Sequence, residues 1–310
     1  MPQTPTSDAW FLTGPTAAGK SAVGVELARR IGAEIISMDS MALYRGMDIG
    51  TAKPSGQQRD AVPHHLVDVL EPREEYSLAQ YVGAACRAVA EIRGRGRQVL
   101  FVGGTPLYLK GLLRGIFQGP PADWELRQRL EEEARRHGSA ALHGRLAEVD
   151  AAAAARLHPN DTRRLIRALE VFEKTGQPIS RLQQQFDEGR TAEQCRVFVL
   201  DWPRGELAAR IDRRVEQMFA AGLVEEVRGL LAGPAPLSKT ARQAVGYREV
   251  IEHVEGRCGL AETIALVGLH TRQLAKRQGT WFRSLSECRS VSVSGAIDAV
   301  GVVARIVGEG

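Results

Sequence analysis

Short apolar runs alternate with longer amphipathic ones along the first hundred residues. Trp10-Phe11-Leu12-Thr13 reads as a buried strand and runs into a glycine-rich turn. From Ser21 to Ile31 apolar residues recur with a helical period, with Ala22, Val25, Leu27 and Ala28 near one stripe and Gly32 closing the run. Glu34-Ile35-Ile36-Ser37 is a second short strand. A helical stretch around Leu78 to Arg93 precedes a third, Gln98 to Val102, which ends in Gly103-Gly104. Strands alternating with helices predict an α/β fold with a parallel sheet.

The pattern changes after Gly119-Pro120-Pro121. Residues from about 122 to 190 are rich in Ala, Leu, Arg and Glu with no strand-like run, which predicts an all-helical insertion. Arg196 to Leu200 restores a strand, helices dominate from about 204 to 283, and Val291-Ser292-Val293 is a candidate last strand. The expected division is a discontinuous α/β core, 8–119 and 196–310, with a helical insertion at 120–195. A cleft between them is expected to clasp the ligand.

Composition narrows the class. Hydrophobic residues make up 44% and charged residues 25% of 310, enough for a sizeable core. A net charge of +4 permits an anionic partner without requiring one. The insertion itself balances, with twelve Lys/Arg against twelve Asp/Glu from 121 to 190, so contact with an anionic partner there has to be a local patch. Cys86, Cys195, Cys258 and Cys288 are scattered, which excludes a paired zinc site and fits a reducing cytoplasm. No leader-like segment opens the chain and no run of 18 apolar residues occurs, so no membrane association is expected.

Gly14-Pro15-Thr16-Ala17-Ala18-Gly19-Lys20-Ser21 has phosphate-loop spacing, with a strand before and a helix after. Backbone N–H groups and the helix N-terminus would cradle phosphate, Lys20 would neutralise its charge, and Ser21 would hold Mg²⁺. A nucleotide hydrolase also needs a magnesium-binding Asp at the end of an apolar strand. The third strand ends in Gly103-Gly104-Thr105 instead, and no Asn-Lys-x-Asp guanine motif occurs. Asp39, just beyond the second strand, is the comparable acid; it could hold magnesium or take a proton. A small-molecule kinase using ATP and a non-catalytic RNA-binding protein remain the rival readings.

Asp39-Ser40-Met41 and Tyr44-Arg45-Gly46-Met47-Asp48-Ile49-Gly50-Thr51-Ala52-Lys53-Pro54 resemble the tRNA dimethylallyltransferases, the adenosine-37 isopentenyltransferase family. The resemblance continues at His64-His65-Leu66, Gly103-Gly104-Thr105, Asn160-Asp161, Arg167-Ala168-Leu169-Glu170-Val171 and Val245-Gly246-Tyr247-Arg248. It ends at Thr271-Arg272-Gln273-Leu274-Ala275-Lys276-Arg277-Gln278 and Thr280-Trp281-Phe282-Arg283.

The resemblance implies a P-loop NTPase-like core whose phosphate loop takes dimethylallyl diphosphate, with Asp39 as general base and Thr105 seating the adenine. Arg214 would bind diphosphate. The partner would be the anticodon stem-loop of tRNAs reading codons that begin with U, bound by a monomer. Facing it would be Asp39, Ser40, Met41, Ala42, Thr105 and Arg127, then Arg163, Arg164, Leu165, Ile166 and Arg167. Gln243, Ala244, Val245, Gly246, Tyr247 and Arg248 would follow, then Lys276, Arg277, Gln278, Gly279, Thr280, Trp281, Phe282 and Arg283. Ala42 stands where many members carry Gln, and Pro106 where Gly is common.

The basic helix near the C-terminus also reads independently. At about 100° per residue, Arg272, Lys276 and Arg283 fall within roughly 40° of arc, with Leu274 and Trp281 opposite. That predicts one cationic face for RNA backbone and one buried face with Trp281 in the core. Arg163 and Arg167 form a smaller cluster after an expected helix cap at Asn160. His64 and His65, with no third ligand nearby, read as structural.

Overall fold

A computed structural model describes residues 6, 8–117, 119–183 and 189–308. The chain divides into two compact units, Met1–Leu113 with Gly189–Gly310, and Arg114–Glu188.

The first unit is built on a six-stranded sheet of β1 (Trp10–Thr13), β2 (Ala33–Ser37), β3 (His64–His65), β4 (Gln98–Val102), β5 (Arg196–Asp201) and β6 (Cys288–Ser292). The spatial order is β3-β2-β4-β1-β5-β6, and every pairing is parallel. β1 and β2 are buried throughout, as expected of strands covered on both faces by helices. One face packs Phe11, Ile36, Phe101, Val197 and Val199 beneath the helix Leu78–Gly94; the other packs Trp10, Leu12, Ile35, Leu100 and Phe198 beneath Lys20–Ile31. Because β4 lies between β1 and β2, the loops leaving all three strands are neighbours at the carboxyl edge, where open α/β sheets bind ligands.

The strand expectations hold, with two additions. His64–His65 is an edge strand, and His65 Nε2 lies 2.7 Å from Glu34 Oε2, so these histidines are structural. The last strand begins at Cys288, earlier than the Val291 expected. Helix Lys20–Ile31 buries Val23, Gly24, Leu27 and Ala28 and leaves Ala22 exposed, a rotation of the expected stripe.

In the second unit the described elements are all helical: Trp124–His137, Ser139–Val149, Ala151–Arg156, Thr162–Thr175 and Ile179–Leu182. Leu126, Leu130, Leu142, Leu146, Leu165 and Leu169 make its core. Helix Thr162–Thr175 is capped by Asp161, not Asn160; its carboxylate accepts the Arg164 N–H. Among the described residues no helix is long and apolar enough to cross a membrane.

Candidate functional site

The phosphate loop leaves β1 at Thr13 and turns into helix Lys20–Ile31 through Gly19, whose φ of 85° is left-handed and suits glycine. Two side chains hold the loop's outer carbonyls. Trp202 Nε1 donates to Ala18 O at 3.1 Å, and Arg210 Nε donates to Ala17 O at 3.0 Å with its guanidinium over the Trp202 ring. The sequence reading gave neither Trp202 nor Arg210 this role.

The other two loops are locked to the first. Thr13 Oγ1 donates to Gly103 O at 2.8 Å, and Gly103 passes so close to Met38 that a Cβ there would stand 2.1 Å from its carbonyl carbon. Thr105 N–H donates to Met38 O at 3.2 Å, while Thr105 Oγ1 accepts the Ser40 N–H at 3.0 Å. Asp39 therefore sits between two residues pinned by Thr105, and its Oδ1 accepts the Met41 N–H at 2.9 Å. Pro106 opens the helix Pro106–Arg114. Proline is well tolerated in a first turn, so this departure from the family pattern leaves Thr105 in place.

Lys20, Asp39 and Arg214 share one field. Lys20 Nζ donates to Gly14 O at 3.0 Å and Pro15 O at 2.8 Å. Burial pulls its pKa down to about 8, Asp39 opposes the fall and Arg214 assists it. Burial also lowers Arg214, against the pull of Asp39. Arg214 reaches this position beside Thr51, whose carbonyl it approaches at 3.4 Å. Glu226 fixes that segment: its carboxylate accepts the N–H groups of Asp48, Ile49 and Gly50 and the Tyr247 hydroxyl, the last at 2.6 Å. No sequence signal marked Glu226.

One amide joins two of the loops. Gln278 Oε1 accepts the Thr16 N–H at 2.9 Å, and Gln278 Nε2 donates to Gly104 O at 2.7 Å. Both ends of this side chain are thus bonded inside the protein. It also puts helix Leu260–Arg283 against the phosphate loop.

Other expected RNA contacts are buried. Ala42, Leu165, Ile166, Ala244, Tyr247 and Phe282 are core residues, and Gly246 is covered. The expected stretches contain residues from both faces of each helix, and only one face meets solvent. Phe282 and Ala275 form the buried stripe of helix Leu260–Arg283, whereas Trp281 is only half-buried, which corrects its expected place in the core. Arg272 is bonded to Asp212, leaving Lys276, Arg277 and Arg283 as the exposed cations. Thr280 Oγ1 donates to Lys276 O, and Gly279 and Val245 are half-buried. Gln243 and Arg248 are exposed, with Arg248 donating to the buried Glu249 at 2.6 Å.

In the helical unit, Arg127 is bidentate on Glu170 at 2.8 Å through both nitrogens, and Arg167 joins the same carboxylate. Burial pushes Glu170 up, but hydrogen bonds from Arg127, the Asp123 N–H and Arg167 hold it below the usual range. Arg127 is thus first an internal ion-pair partner. Arg164 bonds Asp161 at 2.6 Å, and Arg163 is exposed.

Among the described residues no three His, Cys, Asp or Glu side chains cluster to hold a metal. Ser21 follows Lys20 in the first turn of its helix and Asp39 acts on Lys20, residues that fit a magnesium ion taking most of its ligands from substrate phosphate and water.

The chain is similar to known transferases. The family profile described as IPP transferase matches residues 42–285, and one described as isopentenyl transferase matches residues 7–62. A tRNA dimethylallyltransferase of Rhodopirellula baltica is 49% identical over 292 residues, covering 92% of this chain and 87% of that protein. A full-length tRNA isopentenylpyrophosphate transferase from Bacillus halodurans superposes with a TM-score of 0.70 at 36% identity, covering 98% of this chain and 96% of that one. A eukaryotic dimethylallyltransferase solved acting on tRNA superposes with a TM-score of 0.73 at 25% identity, covering 92% of this chain and 73% of that one.

Proposed function

The chain belongs to the IPP transferase family, and from that premise we infer that it transfers a dimethylallyl group from dimethylallyl diphosphate to N6 of adenine 37 in tRNA, releasing diphosphate. The observation that carries the assignment of roles is the meeting of Lys20, Asp39 and Arg214 in one field beside Thr105. The adenine amine is a weak nucleophile because its lone pair is delocalised into the ring. Asp39 takes its proton as the N6–carbon bond forms, and Thr105 seats the amine. The allylic carbon–oxygen bond breaks in the same event. The negative charge growing on diphosphate is met by the loop N–H groups, Lys20 and Arg214. Mg²⁺ on Ser21 would supply further neutralisation of that charge.

The RNA partner is an anticodon stem-loop with adenines beside the target, read in the cytoplasm from tRNAs for codons beginning with U. Its backbone is met by the exposed Lys276, Arg277 and Arg283. A loop is single-stranded, so extruding its base costs only a few kcal/mol.

The test offers purified protein labelled donor, Mg²⁺ and two stem-loops differing only in the flanking adenines. Label should reach N6 of the adenine-flanked loop and be much slower on the other. Transfer of the γ-phosphate of ATP to a small molecule, with no prenyl on RNA, would establish the kinase instead.

A further inference from the structure

Gln278 stands on helix Leu260–Arg283 between two exposed cations' neighbourhoods, Lys276-Arg277 before it and Arg283 after it, yet its amide turns inward. Its oxygen faces a donor, the Thr16 N–H, and its nitrogen faces an acceptor, Gly104 O. Those partners fix which end is which, because the reversed amide would oppose N–H to N–H and oxygen to oxygen. The space is tight: a Cβ on Gly104 would lie 3.0 Å from Gln278 Nε2 and 3.3 Å from Lys20 Nζ. Gly104 directly precedes Thr105, which holds the residues flanking Asp39.

We propose that Gln278 is a positioning residue for catalysis, clamping the phosphate loop to the Gly104–Thr105 turn so that the donor's leaving group and the acceptor amine stay in register. The proposal rests on the function inferred above. The Thr16 N–H is already satisfied by Gln278, so the clamp holds the phosphate loop at Thr16 and leaves its other amides to the donor. Holding such a loop in its binding geometry raises affinity by sparing the cost of ordering it. Alignment matters more still for rate, since a misplacement of about 1 Å between reacting groups costs about 100-fold. Three hydrogen bonds meet at this point: Thr16 to Gln278, Gly104 to Gln278, and Ser40 to Thr105.

Two variants test the clamp. Gln278→Met keeps the length and removes both hydrogen bonds. Gln278→Leu also removes both hydrogen bonds and adds no charge; it serves as the test if Gln278→Met melts below the assay temperature. The readouts are calorimetric affinity for inorganic diphosphate, the single-turnover transfer rate with both substrates saturating, and tRNA affinity against salt. Both variants should lose about tenfold in diphosphate affinity and about 100-fold in single-turnover rate, with tRNA affinity and its salt slope unchanged. Gln278 acting as an RNA contact would give the reverse pattern, with weakened tRNA binding, a smaller salt slope and wild-type diphosphate affinity. That result, or tighter diphosphate binding by the variants, overturns the proposal. If the wild type transfers no prenyl group, the inferred function fails, while the diphosphate titration still decides the clamp.

Discussion

Thr105 Oγ1 accepts the Ser40 N–H at 3.0 Å, so the turn that follows β4 holds the turn that follows β2. The Thr105 N–H bonds Met38 O on the other side of Asp39. The carboxylate is therefore placed by a residue from a different strand.

Asp39→Asn keeps the shape and removes the base. Single-turnover transfer with saturating tRNA should fall by about 10²–10⁴-fold, while tRNA affinity stays near wild type, because a base acts mainly on the transition state. A rate within tenfold of wild type would remove Asp39 from that role. Thr105→Val should follow the same pattern more mildly, since it frees the Ser40 N–H without removing the carboxylate.

The sequence carried the sheet well because parallel strands buried on both faces are continuous apolar runs, as in β1 and β2. Gly14 to Ser21 was legible because a phosphate loop needs those residues at that spacing. The RNA face was less legible. A motif such as Val245-Gly246-Tyr247-Arg248 does not say which of its residues point outward; Tyr247 is fully buried on Glu226 and Arg248 is exposed. Glu226, and the internal bonds of Gln278, were beyond sequence reasoning for another reason. Their partners, Thr16 and the N–H groups of 48–50, are backbone groups far away along the chain and leave no residue-type signature.

Arg127→Ala should act on stability before it acts on RNA. Glu170 is fully buried and keeps only Arg167 and the Asp123 N–H once Arg127 is gone. Breaking a buried pair from one side costs about 3 kcal/mol, visible as a lower denaturation midpoint. Arg163→Ala, at an exposed position, should change stability by less than about 0.5 kcal/mol and weaken tRNA binding. Equal stabilities of the two variants would contradict the ion-pair reading.

The exposed cations should behave as phosphate contacts. Replacing Lys276, Arg277 and Arg283 by Gln together should weaken tRNA binding and lower the salt slope by about 0.7 for each lost contact. Arg272→Gln should change the slope less, because its guanidinium is already bonded to Asp212. Filter binding across a salt series separates the two. A slope unchanged by the triple variant would make this face a solvated surface only.

Lys20 gives the site a pH dependence whose sign differs between folding and binding. Burial brings its pKa to about 8, against 10.5 for an unperturbed lysine. Between those values the folded chain binds fewer protons than the unfolded one, so the contribution of Lys20 to stability rises with pH across that window. Donor binding runs the other way, because diphosphate needs the ammonium form. Affinity for inorganic diphosphate should fall as pH rises through about 8, and binding near that pH should take up protons, since the anion favours the charged amine. Lys20→Arg, which stays charged, should flatten the profile even where it binds less well. Calorimetry in buffers of different ionisation enthalpy reads both affinity and proton uptake. A wild-type affinity that stays level from about pH 7 to 9.5 would mean that the amine of Lys20 does not carry the charge that holds the donor.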